Sequence, residues 1–193
     1  MAKVRHWASV IEAELPSILA MSERAVNIDS GSYMAGGVNG VIAIWAGMLG
    51  GMGFTVERTP LSGFGDQMTA RLPLGGNGPR LLVLGHADTV WPAGIAAEWP
   101  FKREGDRITG PGVGDMKTNV VMALHVIRAL LRDGAAKGLA SITVCIVPDE
   151  EIGSPGSRTW LEAESREADL CLTMEPCRPQ GGMVIGRGAV GAI

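Results

Sequence analysis

The chain has 193 residues, 46% of them hydrophobic and 19% charged, with a formal net charge of −3. That length holds one domain with a real core, and the composition is that of a globular protein rather than a disordered or fibrous one. The slightly acidic balance and the lack of any basic block or aromatic-basic interleaving give no electrostatic basis for binding nucleic acid.

In chain order, "MAKVRHWASVIEAELPSILAMSE" predicts an amphipathic opening helix, because Glu12, Glu14 and Pro16 interrupt any apolar region a secretion signal would need. With neither signal nor anchor recognised, the cytoplasm is the expected compartment. Residues 31–56 carry no charge, a length and neutrality compatible with a membrane span. Their many glycines, Asn39 and a strongly apolar part confined to residues 41–49 instead predict a buried helix ending near Gly50 and Gly51, followed by a strand "GFTVER". The runs "MTARLPL" and "RLLVLG" around "GGNGP" predict a hairpin. "GHADTVWPAGIAAEWPFKREGDRITGPGVGD" predicts a long loop, and loops of that length inside a domain are usually functional.

A helix is expected over residues 118–131, with Asp115, Thr118 or Asn119 as its cap and Gly134 as its stop. "SITVCIV" predicts a buried strand ended by Pro148, "SRTWLEAESREA" a helix, and "DLCLTM" a strand ended by Glu175 and Pro176. Three cysteines form no C-x-x-C pair, which argues against a disulfide framework. Cys145 and Cys171 lie in apolar runs and are expected to be small buried hydrophobes. Alternating strands and helices predict an α/β fold, a mixed, largely parallel and largely buried sheet flanked by helices.

The glycine-rich "GPGVGDMKT" resembles a phosphate-binding loop only superficially. Counting back from Lys117, the required glycines are replaced by Met116 and Pro111. The polar residues follow a different logic. His86 and Asp88 come directly after one predicted strand, Asp149, Glu150 and Glu151 after another, and Glu175 after a third, while Asp115 precedes a helix. Ligands of open α/β sheets bind beyond the carboxyl ends of the strands, so these residues are expected to converge. Crowded carboxylates must either take up protons or hold a cation. One imidazole among several carboxylates suits zinc, cobalt or manganese better than calcium. The surplus of ligands suggests two ions bridged by a carboxylate and a water.

Asp115 is the natural bridge, because neighbouring glycines let the backbone come close. Asp88, two residues after His86, is placed to orient the imidazole. Of the adjacent Glu150 and Glu151, one can ligate while the other takes a proton from the metal-held water. Singly, each motif is weak; their joint occurrence at successive strand ends carries the reading. His6 and His125 receive no role, packing or surface exposure being their ordinary explanation.

With "NIDSG", "GFTVER", "GHADTVWPAG", "GDRITGPGVGDMKTN", "PDEEIGSPGSR" and "MEP" in this order, the chain resembles the di-zinc amidohydrolase and peptidase family of glutamate carboxypeptidase, acetylornithine deacetylase and succinyl-diaminopimelate desuccinylase. It looks most like the glutamate carboxypeptidase branch. The resemblance implies a zinc-exopeptidase-like catalytic domain that hydrolyses the amide of a small peptide or N-acyl amino acid next to a free carboxylate. It further implies His86, Asp115, Glu151 and Glu175 as metal ligands, Asp115 bridging, with Asp88 and Glu150 catalytic and Glu150 the general base.

The family continues from a segment like "GMVIGRGAVGAI" into a lid or dimerisation domain and takes a late histidine as a second-site ligand. No histidine follows His125 in this chain. Residues 1–193 are therefore expected to be the N-terminal part of a single metallopeptidase domain, its second metal site one ligand short. The alternative expectation is an inactive fragment that binds at most one metal or associates with other chains.

Overall fold

The computed structural model describes residues 2–177; the "GMVIGRGAVGAI" segment lies outside them. Five strands form one sheet in the order β1-β2-β6-β3-β7. Helix α1 (Ala2–Val26) and helix α2 (Ala35–Gly51) precede β1 (Thr55–Pro60) and β2 (Asp66–Pro73). Strand β3 (Arg80–His86) is followed by a short helix α3 (Ile95–Glu98) and a two-stranded ribbon of β4 (Lys102–Glu104) and β5 (Arg107–Thr109). Helix α4 (Thr118–Arg132), β6 (Ser141–Val147), α5 (Arg158–Arg166) and β7 (Leu170–Thr173) complete the order. Only β2 runs against the others: it is antiparallel to β1 and β6, while β3 is parallel to β6 and β7. The sheet is thus mixed and largely parallel, as expected.

Alternation along the strands divides the sheet's two faces. Met68 and Ala70 of β2, Val83 of β3, and Ile142, Val144 and Ile146 of β6 share one core with Trp45 and Leu49 of α2 and Val121 and Leu124 of α4. Helix α5 packs against β6 and is amphipathic, with no fully buried residue of its own. The neutral stretch identified in the sequence contains helix α2, which buries one face through Val38, Val41, Ile42, Trp45 and Leu49 and leaves Ala43 and Gly47 exposed. Among the described residues no helix is long and apolar enough to cross a membrane.

Four expectations are corrected. The β2–β3 hairpin does not form, because β6 lies between the two strands and pairs with both. The "GGNGP" segment instead runs along the entry to β6, with Gly76 N donating to Leu139 O and Gly78 N to Gly138 O. A Cβ on Gly76 would meet the Leu139 and Lys137 carbonyl oxygens at 2.5 Å, so the glycines serve backbone approach rather than a tight hairpin. The long loop contains the β4–β5 ribbon. No side chain caps α4; it is entered through a wide turn at Val113–Lys117, and Asn119 Nδ2 donates to Gly114 O at 2.8 Å. Finally, β7 is exposed along its length and Cys171 with it, while Cys145 is buried. β7 is an edge strand among the described residues, so an apolar run there does not imply burial.

Candidate metal centre

The parallel strands end level with one another. His86 is in register with Val147 of β6, and Leu84 with Thr173 of β7. Backbone bonds from Ala87 N to Val147 O and from Met174 N to Leu84 O carry the pairing one residue further. The chain then breaks away, which brings His86, Glu150 and Glu175 to one end of the sheet.

His86 and Asp88 are fully buried. The Nδ1 of His86 lies 3.0 Å from the Asp88 carbonyl oxygen and 3.3 Å from Asp88 Oδ1. Its Nε2 faces Asp115 Oδ1 at 2.9 Å and Glu175 Oε1 at 3.9 Å. With Nδ1 engaged behind, Nε2 is the atom presented to the site, the arrangement that orients an imidazole for a metal. The Asp88 carboxylate also accepts from Ser32 Oγ at 2.6 Å and from the backbone N of Glu150 and Glu151, each at 3.1 Å.

Glu150 and Glu151 lie on one 3₁₀ turn, Glu150–Ile152. Asp149 beside them is turned away: its carboxylate accepts from Gly156 N, Ser157 N and Ser157 Oγ, tying the loop to the start of α5. It is thus not one of the converging carboxylates. Asp115 sits in the wide turn before α4, and the Asp115–Met116 peptide bond is cis. Gly112 has φ +74, and a Cβ there would meet Thr89 Cγ2 at 2.8 Å; the glycine therefore permits the close approach expected beside Asp115.

Two groups of ligand atoms result, each gathered within 4.8 Å: His86, Asp115 and Glu151 in one, His86, Glu150 and Glu175 in the other. They share His86. A cavity of about 150 Å³, lined in part by His86, Met116, Glu150, Leu161, Thr173 and Glu175, adjoins the second group. Of the six residues assigned from sequence, all lie at this end of the sheet. The grouping differs from the expected one in two respects: Glu150, assigned to proton transfer, stands with Glu175, and the residue common to both groups is His86 rather than the expected bridge Asp115.

Electrostatics agree with a cation site. Burial opposes charge on His86, but the Asp115 and Asp88 carboxylates override it and push its pKa up to about 10. Burial pushes Glu151 up to about 7; His86 opposes the rise while the carboxylates of Asp115, Asp88 and Glu150 add to it. Positive charge is therefore drawn to this end of the sheet. One imidazole with several carboxylates is a donor set that fits a divalent ion of borderline softness.

Two residues here went unassigned in the sequence. Ser32 and Lys117 are both buried, and Lys117 Nζ donates to Ile28 O at 2.8 Å. Burial pushes the Lys117 amine down to about 8, partly countered by Asp29. "NIDSG" and "DMK" were visible as segments, Ser32 lying just beyond the first, but nothing in their spacing indicated these contacts.

Comparison with known proteins gives a consistent lineage. Over 165 residues the chain is 36% identical to carboxypeptidase G2 of Pseudomonas sp. (strain RS-16), covering 84% of this chain and 39% of that protein. It is also 36% identical over 163 residues to a succinyl-diaminopimelate desuccinylase of Gluconobacter oxydans, covering 80% and 42%. The chain thus spans about two fifths of the length of these relatives. Its fold matches that of the M20 family metallo-carboxypeptidase Sso-CP2 from Sulfolobus solfataricus, with a TM-score of 0.69 at 21% identity over 87% of this chain and 38% of that one. Residues 82–189 match the model of peptidase family M20/M25/M40, and the chain belongs to that family.

Proposed function

We propose that this chain carries the metal-binding half of a hydrolase that cleaves the amide of a peptide or N-acyl amino acid next to a free carboxylate. The observation that supports it best is the pair of ligand groups meeting at His86. In this reading His86, Asp115, Glu151 and Glu175 hold the metal, with zinc, in one or two ions, the leading candidate. The metal, when bound, would supply Lewis acidity that polarises the amide carbonyl and lowers the pKa of water, so that loss of a proton to a neighbouring base leaves hydroxide to attack that carbonyl.

The protein's own residues do the rest. Asp88 holds the imidazole from behind, so that Nε2 keeps facing the site. Glu150 is exposed at the cavity and is placed to accept a proton from the attacking water and pass it to the departing amine. C-terminal glutamate is the leading candidate for the released residue, and the name of the carboxypeptidase relative supports a carboxyl-terminal cut. Residues 1–193 are read as the N-terminal part of one catalytic domain.

Glu150→Gln keeps size and hydrogen bonding but removes the base. In the metal-loaded protein it is expected to lower hydrolysis of an N-acyl glutamate by roughly 10²–10⁴-fold while sparing metal content. Full turnover in that variant would reject the role.

A second reading, an inactive chain that associates with others, is supported by one feature. Leu170 and Leu172 on the edge strand β7 are 53% and 49% exposed, an apolar edge of the kind that recruits other chains. Metal stoichiometry with size-exclusion chromatography separates the two: one ion or none in a self-associated chain favours the second, two ions with hydrolysis the first.

A further inference from the structure

Several polar contacts that neither ligand group uses, from exposed at Asn27 to buried at Ser32, converge on residues 27–32, between α1 and α2. Asn27 Oδ1 accepts from Phe101 N at 2.7 Å. Asp29 accepts from Gly94 N at 2.7 Å and Ala96 N at 2.8 Å. The Ile28 carbonyl takes Lys117 Nζ at 2.8 Å, and the Ser30 carbonyl takes Thr89 N at 2.8 Å. Gly31 forms a parallel bridge with Thr89, and Ser32 Oγ donates to Asp88 Oδ2 at 2.6 Å. One short segment thus holds the loop after β3, the approach to β4 and the turn that carries Asp115.

We propose that residues 27–32 form a positioning strap for the metal centre, in which Ser32 fixes the Asp88 carboxylate and Lys117 locks the strap to the Asp115 turn. The argument turns on what surrounds Asp88. A carboxylate offers about four acceptor sites, and Asp88 meets the His86 ring, two backbone amides and Ser32. The ring and the two amides belong to the groups that Asp88 itself positions. Ser32 is the donor among them that comes from elsewhere, and its bond is the shortest. Without it Asp88 is held only by what it must hold. Lys117 serves the same end from the other side. Burying an ammonium is costly unless it is well bonded, and this one is spent on a backbone carbonyl of the strap.

That the strap serves a metal rests on the function proposed above; its effect on Asp88 does not. The test therefore has two readouts on the 193-residue chain. In the metal-free protein, Ser32→Ala is expected to speed amide exchange at Glu150 and Glu151 by about tenfold or more, with Ile142 and Val144 in the core unchanged. Cobalt(II) affinity, measured against a competing chelator, is expected to fall roughly 10–100-fold. Ser32→Thr, which keeps the hydroxyl, is expected to restore both. Lys117→Met is expected to speed exchange at Glu150, Glu151 and Thr89, which keeps the test decidable should threonine not fit. Unchanged exchange at Glu150 and Glu151 in both Ser32→Ala and Lys117→Met overturns the strap. Should the unaltered chain take up no cobalt, the metal reading fails, and the exchange data still decide the strap.

Discussion

His86 and His125 are both fully buried, yet their surroundings carry opposite balances of charge. Around His86 stand the carboxylates of Asp88, Asp115 and Glu175, at 3.3, 2.9 and 3.9 Å. His125, between α1 and α4, also meets a carboxylate, Glu14, at 3.2 Å. There, however, the Arg128 guanidinium binds the same carboxylate oxygen and Arg132 approaches the other at 3.4 Å. Burial opposes charge on both rings. The carboxylates override it at His86, raising the pKa to about 10. At His125 burial and the Arg128 charge together outweigh Glu14, and the pKa falls below its ordinary value. A buried histidine is therefore no mark of a site by itself. The surplus of negative charge around it is what attracts a cation.

The largest expected effect tests that contrast directly. His86→Ala removes the residue common to both ligand groups and should weaken divalent metal binding by on the order of 100-fold or more, the upper range for losing a metal-centre contact. His125→Gln should leave it unchanged. Calorimetric titration with zinc checks both.

Next in size is an effect on stability. Glu151 is held at about 7 mainly by burial, with Asp115, Asp88 and Glu150 adding repulsion. Glu151→Gln should therefore stabilise the metal-free chain by on the order of 1 kcal/mol while weakening metal binding. Denaturant unfolding with and without metal should show the two effects with opposite sign. A variant that loses stability in the metal-free state would mean the carboxylates are not in competition.

Two smaller effects concern His125. Arg128→Met removes the cation that holds its pKa down, so that pKa should rise, as read by NMR titration. Because the folded pKa lies below the unfolded value of about 6.5, the unfolded chain binds more protons between the two. Stability from this contact is complete above about 6.5 and declines as pH falls through that value toward the folded pKa. His125→Gln should flatten the dependence of thermal stability over that window.

The site was more legible in the sequence than the sheet. His86, Asp88, Asp115, Glu150, Glu151 and Glu175 stood out because the strand ends are marked by abrupt changes from apolar to acidic residues, and parallel strands end on the same side. Strand order has no such local mark. "GGNGP" has the composition of a hairpin turn, yet its backbone lies against residues 138–140, and only β6, more than sixty residues later, decides that. Asp149 shows the limit of composition within the site itself. In "PDEE" three acids are adjacent, and which one turns back to Ser157 depends on the loop's path. Cys171 and the β7 run failed for a related reason: hydrophobic sequence marks the strand, while exposure depends on what lies beside it.

The account depends above all on the charge surplus at His86 being a cation site. Visible absorption during cobalt(II) titration of the 193-residue chain tests this most directly. A saturable d–d spectrum that survives His125→Gln and vanishes in His86→Ala is the predicted result. No spectrum in the unaltered chain, or an undiminished one in His86→Ala, would contradict it.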